Sequence, residues 1–244
     1  MASATDTPRG KVFLFEDFLY DVAPDKPEYA VDTDPAVEIV AGTGGNGGVM
    51  RVTMDGAQSD IGGIGFGTLQ WELPIEDGEG HLIFEARVKL SAVGTAVERI
   101  FIGFTDRQEG TLTEFPFTIA GTTITAVTDP DDAVGFIWEG DATNASWYPA
   151  SQISDSLVVD GTTNVAVVDR VGPVATEWQT LKIDIGPGAK VAEFSVDGKV
   201  MYRYTGTATV TADVFLMPII VVTEGTTAIN LDIDYVHIES KRQA

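Results

Sequence analysis

Glu177–Tyr204 constrains the fold of this chain more than any other stretch. In EWQTLKIDIGPGAKVAEFSVDGKVMYRY, Leu181, Ile183 and Ile185 alternate with Lys182 and Asp184. Gly186-Pro187-Gly188 turns the chain, and Ala192, Phe194 and Val196 then alternate with Glu193 and Ser195. Asp197-Gly198 turns it again into Lys199–Tyr204. Period-two alternation puts successive side chains on opposite faces of a half-buried strand, and Asp-Gly between two such runs suits a two-residue hairpin. The stretch is predicted to be a three-strand antiparallel meander. The turn pairs Val196 with Lys199 and Phe194 with Met201, so Ala192, Phe194, Val196 and Met201 form the core face. Glu193, Ser195, Val200 and Tyr202 then point the other way. Val200 and Tyr202 are out of place on a plain solvated face, which makes them interface candidates, covered by loops of another sheet or by a partner subunit.

The same grammar runs through the chain. Val12–Phe18 opens as a strand behind a small polar arm, residues 1–10, and Pro24, Pro27 and Pro35 break the connector that follows. Strands are expected at Glu38–Val40, Val49–Met54, Gly67–Leu73, His81–Leu90, Ile100–Thr105, Glu114–Ala120 and Thr122–Val127. Others follow at Ala133–Trp138, Trp147–Ile153, Asn164–Val168, Val214–Val222 and Asn230–Glu239. Short strands at regular spacing with no dividing linker indicate one β-sandwich or barrel over residues 11–244. Glycine-rich stretches at 42–48 and 61–67 lack a surrounding βαβ unit and a Gly-Lys-Ser/Thr ending, so neither reads as a phosphate loop. Glycines inside a strand mark close packing or bulges instead.

Composition narrows function by exclusion. The formal charge of −22 over 244 residues opposes direct binding to nucleic acid or to an anionic membrane surface. Without cysteine the chain has neither disulfides nor thiolate metal ligands. No apolar run reaches the length of about 20 residues that a spanning helix needs, and the N-terminus shows no apolar signal region. Its histidines, His81 and His237, fall on strands, with no Ser and Asp in a triad pattern and no transition-metal spacing.

Phe15-Glu16-Asp17-Phe18, HLIFEARVKL at 81–90, and EWQTLKIDI…FSVDGKVMY with the terminal LDIDYVHIE together resemble concanavalin A-like lectin/glucanase jelly rolls. The resemblance implies an all-β, antiparallel jelly-roll β-sandwich. It also implies a test for glycoside hydrolysis of the family 16 type, which needs two carboxylates on one strand, as nucleophile and acid/base. Glu139-Gly140-Asp141-Ala142-Thr143-Asn144 matches the first two acids, but Asn144 or Thr143 stands where the acid/base belongs, and neither protonates a leaving group. No catalytic residue is therefore assigned. The resemblance further implies a structural Ca²⁺ held by an Asp of the last strand, matched here by Asp234 in Ile233-Asp234-Tyr235-Val236. Trp138, Trp147 and Tyr148, near the strand expected to line the concave face, are candidates for a sugar-stacking platform.

Three longer segments are similar to structural proteins of tailed bacteriophages: VGFIWEGDATNASWYPASQISDS, TEWQTLKIDIG…AEFSVDGKVMYRYTG, and LMPIIVVTEGTTAINLDIDYVHIESKRQ. That resemblance implies a non-enzymatic virion component assembled in the host cytoplasm, decorating the capsid or mounted on head or tail. Its partners would be the major capsid protein or other virion proteins, and it would act as a homo-oligomer, with a trimer as first expectation. A carbohydrate-binding module for surface glycans is the alternative, and a glucanase the second.

Overall fold

The computed structural model describes residues 5–6, 11–18, 29–31, 36–41, 48–54, 61–66, 71–72, 80–93, 98–107, 114–140, 142, 146–161, 171–206, 208–211, 214–223, 225 and 228–241. They form two antiparallel sheets, with strands numbered in chain order. Sheet A runs β1 (Thr5–Asp6), β2 (Lys11–Glu16), β19 (Ile229–Lys241), β8 (Leu82–Leu90), β15 (Gln179–Ile185), β16 (Val191–Val196), β17 (Lys199–Thr205). β5 (Gly48–Met54) also pairs with β19 and carries β4 (Ala36–Ala41). Sheet B runs β14 (Ser156–Asp160), β13 (Tyr148–Ile153), β12 (Ala133–Glu139), β9 (Arg99–Thr105), β18 (Phe215–Thr223), β6 (Ile61–Phe66), β3 (Tyr29–Val31), with β7 (Trp71–Glu72) on β18. A separate hairpin joins β10 (Phe117–Ala120) to β11 (Thr123–Ala126).

The expected antiparallel sandwich is what forms. The alternation in HLIFEARVKL becomes a strand whose every second residue, Leu82 to Leu90, is buried. Between the sheets, Phe84 meets Phe104 at 5.6 Å and Phe136 meets Phe194 at 5.5 Å, both edge to face, a geometry aromatic pairs favour. The glycine-dense Ile61–Phe66 is itself a strand, with Gly63 and Gly65 paired to β18. Thr5–Asp6, inside the expected arm, pairs with Phe13 and Val12. The expected strand at Asn164–Val168 lies outside the described residues.

The meander is present, with one correction. A β-bulge between Phe194 and Ser195 shifts the register, so Phe194 faces Tyr202, and Ser195 faces Val200. A bulge gives one strand an extra residue and re-aims the side chains beyond it. Tyr202 is therefore buried against the Phe194 ring (6.2 Å) in the core, and is not an outward interface residue. Val200 remains outward and exposed. Ala192, Phe194, Val196 and Met201 are all buried, as the alternation predicts.

Sheet B is covered on both faces. Val134, Phe136 and Trp138 of β12 join the core between the sheets, while Ala133 and Ile137 belong to a second cluster on the opposite face. There Phe117, Ile119 and Ile124 of the β10–β11 hairpin, with Phe115 before it, pack over Phe101, Ile219 and Val221. The molecule is thus a sandwich with a third, partial layer.

Candidate functional site

The glutamate singled out by the glucanase comparison ends β12, on the face beneath the hairpin. Glu139 is 1% exposed. Cross-strand register sets it opposite Arg99 of β9, and Arg99 Nε donates to its Oε1 at 2.8 Å. The Ile119 backbone N–H, on β10, donates to Oε2 at 2.7 Å. A buried carboxylate is tolerated only when paired and hydrogen-bonded, and here Oε1 ties β12 to β9 while Oε2 holds the hairpin to the sheet. Glu139 is a structural clamp in this geometry, and it presents no free carboxylate to a glycosidic bond. Asp141, Thr143 and Asn144 lie outside the described residues.

Nearby, Glu98 is fully buried, and among the described residues neither of its carboxylate oxygens has a hydrogen-bond partner. At the other end of β9, Arg107 gathers Asp129 at 2.7 Å and Asp131 at 3.6 Å.

The sugar-platform residues are corrected by their burial. Trp138 and Trp147 lie in the core between the sheets, and Trp147 Nε1 donates to Gln179 Oε1 at 3.0 Å. Tyr148 lies in the cluster under the hairpin. All three are at most 1% exposed. A ring with no free face stacks on no sugar.

The outer face of sheet A carries the other chemistry. Asp232 of β19 takes Arg51 of β5 through two contacts, Nε to Oδ1 at 2.6 Å and Nη2 to Oδ2 at 3.0 Å. Lys89 Nζ of β8 reaches its Oδ2 at 3.0 Å. Arg87 and Lys89 also lie over the half-buried Trp178 ring, at 5.1 and 4.5 Å from its centroid. Such cation–π contacts hold both charges along the sheet. Asp234, the proposed Ca²⁺ ligand, bonds Arg87 Nη1 at 2.6 Å. What the structure shows at Asp234 is an ion pair, and the described residues contain no group of three or more carboxylate or imidazole side chains placed to hold a metal. Tyr235 donates to Glu85 at 2.7 Å and stacks on the exposed Phe15, which also meets His237. His81 pairs with Asp184.

Asp232 gives this network a pH dependence. Burial pushes its carboxyl up, but the Arg51 and Lys89 bonds outweigh that and hold it below the ordinary value. The unfolded chain, near about 3.9 at this group, takes up its proton first as pH falls. The stabilisation is therefore complete above about pH 4 and is lost as acid passes the folded value. Asp232→Asn is expected to lower stability at neutral pH by about 1–2 kcal/mol and to flatten the acid limb below about pH 4. Urea midpoints measured across that range check it; an acid limb as steep as the parent's overturns it.

No protein-family model matches the chain, and no curated protein matches it in sequence. Solved structures do match its fold. An endo-1,3-beta-glucanase from Streptomyces sioyaensis superposes with a TM-score of 0.63 at 14% identity, covering 99% of this chain and 100% of the enzyme's. A Bacillus licheniformis beta-glucanase gives 0.55 at 12% identity, over 94% of this chain and 98% of the other. The carbohydrate recognition domain of Emp47p gives 0.56 at 8% identity, over 97% of each. The chain has the concanavalin A-like jelly-roll fold shared by lectins and glucanases. Identities this low establish the architecture alone.

Proposed function

We propose that this protein is a non-enzymatic structural component of a tailed-phage virion, decorating the capsid or serving as a head or tail accessory through protein–protein contacts. The observation that carries the non-enzymatic part is the β10–β11 hairpin. It packs over the sheet face bearing Glu139 and is anchored there through Oε2 of that glutamate, whose Oε1 is taken by Arg99 of the sheet. The virion part draws on the sequence resemblance, and the acidic charge of −22 suits a component that keeps particles apart. The partner would be the major capsid protein or another virion protein.

Co-sedimentation of the purified chain with phage shells tests the proposal. Saturable binding to shells and no retained sugar on a glycan array is the expected result. A chain that ignores shells and binds a glycan overturns it.

That opposite result would favour a lectin-like module, the reading supported by the likeness to the Emp47p domain. With Trp138, Trp147 and Tyr148 buried, the platform would move to Trp178 beside Arg87 and Lys89. Trp178→Ala would then abolish glycan retention.

A further inference from the structure

Among the described residues, β17 closes sheet A and β14 closes sheet B. The contacts of Phe84 with Phe104 and of Phe136 with Phe194 stack β8 on β9 and β16 on β12. β17 and β14 therefore lie along the same flank of the sandwich. Their directions follow from the ladders. Ser91, just after β8, donates to the Asn230 carbonyl at the start of β19. Gly225, shortly before that strand, packs on Glu98 at the start of β9. The end of β8 and the start of β9 share one end of the molecule, so the two strands run oppositely. Following antiparallel partners outward through each sheet, β17 runs against β14.

A strand at the end of a sheet offers backbone donors and acceptors to another chain. The charges on these two strands select which. β17, KVMYRYT, carries Lys199 and Arg203 and no acid. β14 with the residue before it, DSLVVD, carries Asp155 and Asp160 and no base. Pairing β17 with its own copy sets Lys199 near Arg203, and like charges facing across strands repel. A two-fold axis parallel to the strands instead places β17 of one copy beside β14 of the next and repeats the pair on the second sheet. With Arg203 opposite Asp155, this antiparallel register puts Val200 opposite Val158, and Lys199 opposite Val159 and beside Asp160. Val200, 41% exposed, lies between the charged contacts, alongside the half-buried Leu157 and Val158.

We propose that this flank is a homodimer interface, in which β17 and β14 of two copies pair reciprocally. A head-to-tail ring, including the trimer expected from the sequence, needs complementary edges on different sides. Edges that share a flank close the assembly at two. The interface holds whichever of the two functional readings is correct.

Light scattering of the full chain during size exclusion, at micromolar concentration, tests it. A dimer is expected. Arg203→Glu and Asp155→Lys, both at exposed positions, each weaken it at least about tenfold, and combining them restores it to within about threefold of the parent. Circular dichroism confirms that each variant folds. A monomer, a trimer, or a dimer indifferent to both reversals overturns the proposal. Shell binding is measured on the same samples. A monomer that binds shells defeats the dimer and leaves the virion function standing, and a dimer that ignores shells does the reverse.

Discussion

Glu139→Ala is expected to cost about 3 kcal/mol of stability, the lower end of what breaking a buried ion pair costs. The change strands two groups at once. Arg99, whose side chain is 25% exposed, loses its carboxylate. The Ile119 N–H, inside the cluster beneath the hairpin, loses its acceptor. A buried donor left without a partner costs about 1–3 kcal/mol by itself. Glu139→Gln keeps one acceptor and should cost about half as much, near 1–2 kcal/mol. Replacing both partners with apolar residues, Arg99→Met with Glu139→Leu, should cost less than Glu139→Ala alone, because no charge is then stranded. Urea denaturation of the four chains measures this. If Glu139→Ala matches the parent, the clamp is not what holds the hairpin, and the covered face loses its main support. Local opening gives a second readout. Hydrogen exchange at Ile119 and its neighbours should accelerate in Glu139→Ala before the rest of the sandwich does.

The meander and β8 were legible because one of their faces stays polar. Leu181, Ile183 and Ile185 alternate with Lys182 and Asp184, and the structure buries only the first set. Sheet B carries a different pattern. Ala133–Trp138 and Val214–Val222 are continuous apolar runs, and β12 is buried along its whole length. A run without alternation means both faces are covered, so these runs carry the sign of a third layer, although from sequence Trp138, Trp147 and Tyr148 read as a sugar platform. The bulge at Ser195 left no such trace. It changes the register by one residue without changing composition, and it moved Tyr202 from the outer face into the core.

The charged networks were beyond reach for a different reason. Asp232 and Arg51, Glu139 and Arg99, and Asp234 and Arg87 are far apart in sequence and meet only through cross-strand register. Knowing which strands neighbour one another is a statement of topology, and local pattern does not contain it. Asp234 illustrates the consequence. Its sequence context matched a cation ligand, while the strand beside it supplies a guanidinium.

Gly103→Ala is expected to be severely damaging at the centre of sheet B, costing about 3 kcal/mol or more, the upper range for overpacking. Gly103 of β9 faces Gly135 of β12 across the ladder, and Ile219 of β18 on its other side. A Cβ built there falls 2.2 Å from the Val134 carbonyl oxygen and 2.6 Å from the Gly135 Cα. Those are backbone atoms of a paired neighbour, so no rotamer change relieves the contact. The strands must separate, and their hydrogen bonds lengthen at the centre of the sheet. The Phe101 ring adds a second limit, 3.0 Å from where a Cβ on Gly103 would sit. Gly198→Ala provides the comparison. It sits in the β16–β17 turn at φ +74 with no heavy atom within 4 Å of its added methyl. Its cost is limited to the left-handed backbone, about 1–2 kcal/mol. Urea midpoints of the two variants separate a steric cost from a conformational one. A Gly103→Ala chain no less stable than Gly198→Ala would mean that β9 and β12 do not approach this closely. If Gly103→Ala cannot be recovered as a folded chain while Gly198→Ala can, the result supports the close approach just as directly.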